Sequence, residues 1–235
     1  MIINVIFDID GTLIDSNHLH AESWQRAFAK FGKIIEFKSV LKQIGKGSDQ
    51  LLPEFLTDDE IKEFGAELEK YRSELFKREY LSQVKPFPKV RELFEKIVQN
   101  DGRIVLASSG AEEDVEKFKK ILNISDLLED STSSEDVESS KPEPDIFLTA
   151  LKKLGNPPKS ECVVVGDTPY DAIAAEIAGL KIIGVTCGGW SAEILKEFGC
   201  GEIFENPSDL LENFNNSLIG DISDEKAATG CKGLG

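Results

Sequence analysis

Apolar residues occur along the chain in four short runs, separated by stretches of helical periodicity. The runs are rich in Val and Ile without polar alternation: Ile2–Phe7, Ile104–Ala107, Cys162–Val165 and Ile182–Val185. Parallel strands that are covered on both faces have this pattern. Amphipathic repeats predict helices over Val90–Val98, Glu112–Leu122, Asp145–Leu154 and Asp171–Ala178. The alternation predicts an α/β fold built on a doubly wound parallel sheet.

The segment of residues 16–85 departs from this alternation, because it shows helical periodicity and no convincing strand. Its clearest helix begins after Thr57, where Glu60 completes the spacing of a capping box. A helical block between the first strand and the next strand–helix unit indicates an inserted domain. We therefore expect an α/β core of residues 1–15 and 86–218, a helical cap of residues 16–85 and a flexible tail of residues 219–235.

Composition and charge exclude several classes of function. The chain has 43 acidic and 27 basic residues and a net charge of −16, which disfavours binding to nucleic acid or to anionic membranes. It lacks an apolar run of about 20 residues and a signal-peptide pattern, so we expect a cytoplasmic protein. Its four cysteines form no CxxC motif or Cys/His cluster, which predicts reduced thiols without a catalytic role.

The first candidate for chemistry follows the first predicted strand. Asp8 and Asp10 point to the same side of an extended chain, and Gly11 allows a turn directly after them. Open α/β sheets bind their ligands at the carboxyl ends of the strands. An isolated Asp-x-Asp-Gly sequence is more often an ordinary polar turn, so further residues must support a site.

Three other segments supply such residues at the same sheet edge. Ser108 and Ser109 follow the second strand and precede a helix, where they are either anion ligands or ordinary N-caps. Lys141 lies in a proline-limited turn before another helix and could equally be a solvated lysine. Asp167 and Asp171 follow the third strand. Four carboxylates at one place require a cation, and hard oxygen ligands suit Mg²⁺ bridging to a substrate phosphate.

With these residues in order, the chain resembles the haloacid dehalogenase superfamily in its phosphatase branch with a helical cap. The resemblance covers about residues 1–190 and rests on Asp8-x-Asp10-Gly11-Thr12, Ser108, Lys141 and Gly166-Asp167-x-x-x-Asp171. It implies that Asp8 is the nucleophile and forms an aspartyl phosphate, and that Asp10 is the general acid and then the general base.

The resemblance also assigns the remaining site residues. Ser108, Ser109 and Lys141 would bind the transferring phosphoryl group. Asp8, Asp167 and the backbone carbonyl of Asp10 would ligate Mg²⁺, with Asp171 supporting that shell. His20 and Lys46 are the cap residues that we expect to contact substrate, although a helix-face histidine and a solvated lysine are the alternatives.

The expected function is Mg²⁺-dependent hydrolysis of a small phosphorylated metabolite, of the phosphoglycolate or sugar-phosphate type, by a monomer or weak dimer. Asp10 argues against carbon–halogen cleavage, since the dehalogenases lack the second aspartate of this motif. A β-phosphoglucomutase-like mutase is the first alternative, because His20, Trp24 and the Lys141-Pro142 segment resemble that branch. A phosphonatase-like hydrolase using Lys46 is a weaker alternative, and a non-enzymatic binding protein is disfavoured because every motif residue is present.

Overall fold

The computed structural model describes residues 3–220 of the chain. The strands in this range are β1 (Asn4–Phe7), β2 (Ile14–Asp15), β3 (Lys85–Pro86), β4 (Arg103–Ala107), β5 (Asp130–Thr132), β6 (Cys162–Gly166), β7 (Lys181–Val185) and β8 (Glu202–Phe204). Six of them form a sheet in the order β5-β4-β1-β6-β7-β8, and every neighbouring pair is parallel. The predicted α/β fold with a parallel sheet is confirmed.

Helices account for most of the remaining structure. They are α1 (Asn17–Lys30), α2 (Phe37–Leu41), α3 (Ser48–Leu51), α4 (Asp58–Glu60), α5 (Ala66–Leu75), α6 (Val90–Gln99), α7 (Glu112–Leu122), α8 (Asp145–Lys153), α9 (Pro169–Ala178), α10 (Ala192–Glu197) and α11 (Pro207–Glu212). Single 3₁₀ turns are Leu52–Glu54, Leu81–Gln83, Ser125–Leu127, Ser134–Asp136, Lys159–Glu161 and Phe214–Asn216. None of the helices within residues 3–220 is both long and apolar enough to span a membrane.

The sheet lies between two layers of apolar side chains. Val5 and Phe7 of β1 face a cluster that includes Phe94 of α6, whereas Ile6 faces a second cluster that includes Phe147 of α8. Alternate residues of a strand point to opposite faces, so the continuous apolar run of β1 fills both layers. Burial on both faces explains why these strands are continuous apolar runs in the sequence.

The helical segment begins and ends at a short antiparallel ribbon. Ile14 and Asp15 of β2 pair with Pro86 and Lys85 of β3, so the chain leaves and re-enters the α/β core at neighbouring points. Helices α1 to α5 lie between these strands and have a core of their own, which includes Trp24, Phe28 and Leu68. We refer to this segment as the cap.

One long helix in the cap continues through two π-helical segments. The predicted capping box is present: Thr57 accepts from the backbone N–H of Glu60, and the Glu60 side chain accepts from the N–H of Thr57. The chain then stays helical to Tyr80, with π-helical geometry at Ile61–Gly65 and Phe76–Tyr80. In the second π segment, the ring of Phe76 stacks on that of His20 of α1.

The sequence prediction did not include the two edge strands. β5 and β8 have three residues each, and they contain polar or partly exposed positions such as Asp130 and Glu202. The predicted tail lies outside the described residues from position 221 onward, while Ile219 is buried in the core. Cys162, Cys187 and Cys200 are free thiols, as predicted, and Cys231 lies outside the described residues.

Candidate active site

Carboxylates from two strand ends converge at the carboxyl edge of the sheet. Asp8 follows β1, Asp167 follows β6, and Asp171 lies in the first turn of α9. One carboxylate oxygen of each lies within 4.8 Å of the other two, and all three side chains are buried. Three of the four carboxylates that the sequence placed together are therefore close, whereas the Asp10 carboxylate is not part of this group.

Lys141 lies at the centre of this cluster. Its side chain is fully buried, and its ammonium contacts Asp8 Oδ1, lies 2.8 Å from Asp171 Oδ1 and donates to the carbonyl of Ala107 at 3.3 Å. Burial by itself lowers the pKa of Lys141, but Asp171 and Asp8 outweigh this effect and raise the pKa above its usual value. The side chain is thus a buried cation and not a solvated lysine.

One ammonium does not balance three buried carboxylates. Burial raises the pKa of Asp8 to about 7, against the lowering effect of Lys141. Burial also raises the pKa of Asp167 well above its usual value, with further contributions from the charges of Asp8 and Asp171. A divalent cation bound by oxygen ligands would remove this repulsion, so the donor set fits Mg²⁺.

Asp167 accepts hydrogen bonds from two side chains and lies against the backbone of two glycines. Its Oδ1 accepts from Thr12 Oγ1 at 3.1 Å, and its Oδ2 accepts from Asn17 Nδ2 at 2.9 Å. A Cβ atom at Gly11 or Gly188 would overlap the Asp167 carboxylate, and Gly11 also has a φ of +78°. These glycines let the backbone approach the carboxylate closely.

Asp171 is fixed by the start of its own helix. Its Oδ2 accepts from the backbone N–H of Thr168 at 3.1 Å and from Thr168 Oγ1 at 2.6 Å, which completes a capping box. The other oxygen, Oδ1, faces Lys141. Asp171 thereby connects the helix cap to the buried ammonium.

Asp10 lies at the boundary between core and cap. Its Oδ1 accepts from Ser16 Oγ at 2.6 Å and lies 2.8 Å from His20 Nε2. The ring of His20 stacks on Phe76, with centroids 4.1 Å apart. Burial alone would raise the pKa of Asp10, but His20, Ser16 and the charge of Arg72 outweigh it and hold the pKa below its usual value. Asp10 is therefore ionised in this arrangement.

Arg72 determines the orientation of the His20 ring. The guanidinium of Arg72 contacts His20 Nδ1 through Nη2 and donates from Nε to Ser23 Oγ at 3.2 Å. Because a guanidinium can only donate, Nδ1 accepts, which leaves Nε2–H to donate to Asp10. A chain of hydrogen bonds thus runs from a cap helix to the second aspartate of the first motif.

A cavity of about 350 Å³ opens above Asp8 and Asp10, between the core and the cap. Two hydrogen bonds join the core and the cap near this cavity: Tyr170 Oη donates to the carbonyl of Lys42 at 2.6 Å, and the Ser140 N–H donates to Asp49 Oδ2 at 3.0 Å. His20 and Arg72 are among the lining residues. The cavity size is at the lower end of small-molecule sites, which have about 300–1,000 Å³.

The other predicted site residues differ in whether they line this cavity and in which partners they contact. Ser108 is buried and its Oγ accepts from the N–H of Gly110 at 3.0 Å, so its hydroxyl shapes the loop after β4. Ser109 lines the cavity and donates to the carbonyl of Gly45 at 3.3 Å. Lys46 also lines the cavity, but its ammonium pairs with Glu54 at 2.6 Å and lies 4.8 Å from the centre of the Tyr170 ring.

Sequence reasoning missed residues that touch the site from outside the motifs. Asn17 bridges Asp167 and the carbonyl of Gly188, and Arg72 orients His20. Two signals were available. Asn17 begins α1 shortly after the Asp8–Thr12 segment, and Arg72 lies between Leu68 and Leu75 on a helix with an apolar face.

Comparison with known proteins defines the class of this molecule. Residues 5–185 match the model of the haloacid dehalogenase-like hydrolases, and the chain belongs to that family. A phosphoglycolate phosphatase of Aquifex aeolicus is 28% identical over 221 residues, which are 92% of this chain and 98% of that protein.

Two further relatives extend the comparison. A phosphorylated carbohydrates phosphatase of Thermotoga maritima is 27% identical over 88% of this chain and 95% of its own length. The crystal structure of a hydrolase from Pseudomonas syringae has a TM-score of 0.81 and 27% identity, over 91% of this chain and 98% of that chain. The chain is therefore similar to complete hydrolases over nearly its whole length.

Proposed function

We propose that this protein is a Mg²⁺-dependent phosphatase that hydrolyses the phosphomonoester of a small metabolite through an aspartyl phosphate on Asp8. The observation that carries the proposal is the buried ammonium of Lys141 between Asp8 and Asp171, beside a cavity that Asp8 lines. Family membership and relatives named as phosphatases support the same reaction class.

The residues that would hold Mg²⁺ are Asp8, Asp167 and the backbone carbonyl of Asp10, with Asp171 supporting this shell. When bound, the ion supplies positive charge that neutralises the phosphate and the carboxylates around it. Thr12 and Asn17 keep Asp167 oriented through its two oxygens. Lys141 adds a second, permanent positive charge beside the nucleophile.

In the first step, a carboxylate oxygen of Asp8 attacks phosphorus and the bond from phosphorus to the ester oxygen breaks. Asp10, which is ionised before substrate binds, takes up the proton of the phosphate monoanion and passes it to the departing oxygen, so the products are an alcohol and a phosphorylated Asp8. Ser108, Ser109 and Lys141 bind the phosphoryl oxygens during this transfer. The cavity between core and cap would keep the substrate oriented toward Asp8.

In the second step, water attacks the phosphorus of the phosphorylated Asp8, and inorganic phosphate leaves as the carboxylate is restored. Asp10 accepts the proton from this water. The hydrogen bonds from Ser16 and His20 favour the ionised form of Asp10, which suits this role as a base. His20 is a positioning residue in this scheme, because it acts through Asp10.

Hydrolysis of p-nitrophenyl phosphate and of a panel of metabolite phosphates, with Mg²⁺ or with a chelator, tests the proposal. We expect turnover only with Mg²⁺, and a loss of at least about 1,000-fold in kcat for Asp8→Asn. Asp126→Asn is the matched control, because Asp126 is an exposed partner of Arg91 at the surface. Turnover by Asp8→Asn at the wild-type rate would refute the nucleophile.

A sugar-phosphate mutase is the second candidate. Tyr170 and Ser140 already hydrogen-bond to the cap, and a cap held close enough to exclude water would favour transfer of the phosphoryl group to a second hydroxyl. Incubation with β-glucose 1-phosphate distinguishes the two reactions. Phosphate release supports the phosphatase, whereas formation of glucose 6-phosphate without phosphate release supports the mutase.

A further inference from the structure

The part of the cavity beyond the catalytic aspartates carries an excess of negative charge. Four carboxylates line it in addition to Asp8 and Asp10: Asp49, Glu69, Asp114 and Glu138. Two permanent cations, Lys46 and Arg72, line the same region. A substrate bound with its phosphate at Asp8 must place its alcohol portion among these groups.

Both cations are already engaged by the protein. Lys46 forms an ion pair with Glu54, and only 9% of its side chain is exposed. Arg72 contacts His20 and Ser23, and its guanidinium carbon lies 5.0 Å from the centre of the Trp24 ring and 5.1 Å from that of Phe76. Neither side chain is a free receptor for a second anionic group of the substrate.

The carboxylates, in contrast, have few cationic partners. Among residues 3–220, no lysine, arginine or histidine nitrogen lies within 4.0 Å of a carboxylate oxygen of Asp49, Glu69 or Glu138. Asp114 is 7% exposed, and its Oδ1 is buried without a hydrogen-bond donor, with Lys117 Nζ 3.6 Å away. These groups can accept hydrogen bonds from hydroxyls, and they repel anions.

We propose that the substrate is the phosphomonoester of an uncharged polyhydroxy alcohol, of the sugar or polyol type, and that the cavity carboxylates discriminate against alcohols bearing a second anionic group. The inference rests on the proposed phosphatase function and specifies its substrate class. Ser48 and Ser73 also line the cavity, and the Ser48 hydroxyl, which donates to Glu69 Oε1 at 2.6 Å, can still accept a hydrogen bond from a polyol. Like charges brought together in a binding site cost free energy, so repulsion supplies selectivity as effectively as attraction does.

A cationic alcohol is the main competitor for an acidic cavity. Recognition of quaternary ammonium groups uses open aromatic faces, as in aromatic cages. The Trp24 ring in this cavity is 5% exposed and is covered by Arg72, so its face is not available to a ligand cation. The lining therefore offers no cage for a quaternary ammonium group, and phosphoethanolamine in the test below decides whether a primary ammonium is preferred to a neutral polyol.

The test compares kcat/KM for three groups of phosphomonoesters under identical Mg²⁺. Hexose 6-phosphates and glycerol 3-phosphate represent neutral alcohols, phosphoglycolate and 3-phosphoglycerate carry an added carboxylate, and phosphoethanolamine carries a cation. We expect the best neutral substrate to exceed both anionic ones by about tenfold or more at low salt. The ratio should shrink as salt is raised, since exposed charges are then screened.

Charge-neutralising variants connect the selectivity to particular residues. The triple variant Asp49→Asn/Glu69→Gln/Glu138→Gln should reduce the ratio of neutral to anionic substrates by about tenfold. The control Glu63→Gln/Glu67→Gln/Glu197→Gln makes the same change in net charge at exposed sites outside the cavity lining and should leave the ratio unchanged. All six positions are exposed, so both proteins should fold.

The outcomes separate this inference from the proposed function. Equal or faster turnover of phosphoglycolate, a preference for phosphoethanolamine, or an unchanged ratio in the cavity variant would each overturn the polyol assignment while hydrolysis continued. Failure to hydrolyse any phosphomonoester with Mg²⁺, including p-nitrophenyl phosphate, would instead refute the phosphatase.

Discussion

Replacing Lys141 with Met removes the only cation that contacts both Asp8 and Asp171 within residues 3–220. Methionine keeps a long unbranched side chain but leaves two buried carboxylates without their ammonium. Removing one partner of a buried ion pair costs about 3–5 kcal/mol of stability. In a chain of this length each kcal/mol lowers Tm by about 2–4 °C, so we expect Tm to fall by roughly 6–20 °C at pH 8.

The pH dependence of this loss follows from the carboxyl groups. Burial raises the pKa of Asp8 to about 7 even with Lys141 present, so the folded protein binds this proton more tightly than the unfolded chain does. A carboxyl group whose pKa is raised by folding makes the folded protein less stable as pH rises from about 4 through about 7. Without Lys141 the pKa rises further, so the stability difference from wild type should be largest at pH 8 and smaller at pH 5.

Thermal unfolding of the metal-free protein at pH 5 and pH 8, followed by circular dichroism, measures both effects. Lys62→Met is the control, because Lys62 and its partner Asp59 are exposed and lie 3.9 Å apart. Exposed pairs contribute about 0–1 kcal/mol, so the control should change Tm by less than about 4 °C. If Lys141→Met melts like the control at pH 8, or loses the same Tm at both pH values, Lys141 does not neutralise the carboxylates.

Three further changes test other parts of the site. Asn17→Ala removes a donor to Asp167 and should weaken Mg²⁺ binding by about 10–100-fold in calorimetry, because it lets this proposed metal ligand reorient. Mg²⁺ at 100 times its Kd should stabilise the wild-type protein against unfolding by about 2.7 kcal/mol. Mg²⁺ should also bind more tightly at pH 8 than at pH 5, because the carboxyl groups must lose their protons to bind it. Arg72→Met should misorient His20 and lower kcat on a sugar phosphate by about tenfold or more. The loss of kcat on p-nitrophenyl phosphate should be smaller, because its leaving group needs less protonation by an acid.

Each of these expectations has a result that contradicts it. A Mg²⁺ Kd within twofold of wild type for Asn17→Ala would show that Asp167 needs no support from this amide. Equal Mg²⁺ affinity at pH 5 and pH 8 would separate the ion from the buried carboxylates. Equal losses of kcat on both substrates for Arg72→Met would point to a general structural defect.

The central strands were predictable because the sheet is covered on both faces. Continuous apolar runs such as Cys162–Val165 have few other stable environments in a protein of this composition. The edge strands β5 and β8 gave no such signal, since they have three residues each and only Thr132 among them is buried. Edge strands of this kind are specified by pairing with a neighbour that is distant in sequence.

The site was predictable to the extent that its residues follow strands or begin helices. Asp8, Asp167 and Asp171 meet because parallel strands end at one edge. The Arg72–His20 contact depends on how the cap helices pack, and Asn17 reaches a carboxylate 150 positions away in the sequence. The local signals at Asn17 and Arg72 assign each residue to an element but do not indicate its distant partner, so these contacts became evident only in the structure.

Direct detection of the phosphorylated enzyme tests the account most directly. The Asp10→Asn variant should accept a phosphoryl group from p-nitrophenyl phosphate, which has a good leaving group, but should lack the base that activates water. We expect the trapped protein to gain one phosphoryl group in the presence of Mg²⁺. After borohydride reduction, mass spectrometry should locate the change at Asp8. Phosphorylation of a residue other than Asp8 would contradict catalysis through Asp8. So would an Asp8→Ala variant that hydrolyses nucleotides and sugar phosphates at the wild-type rate.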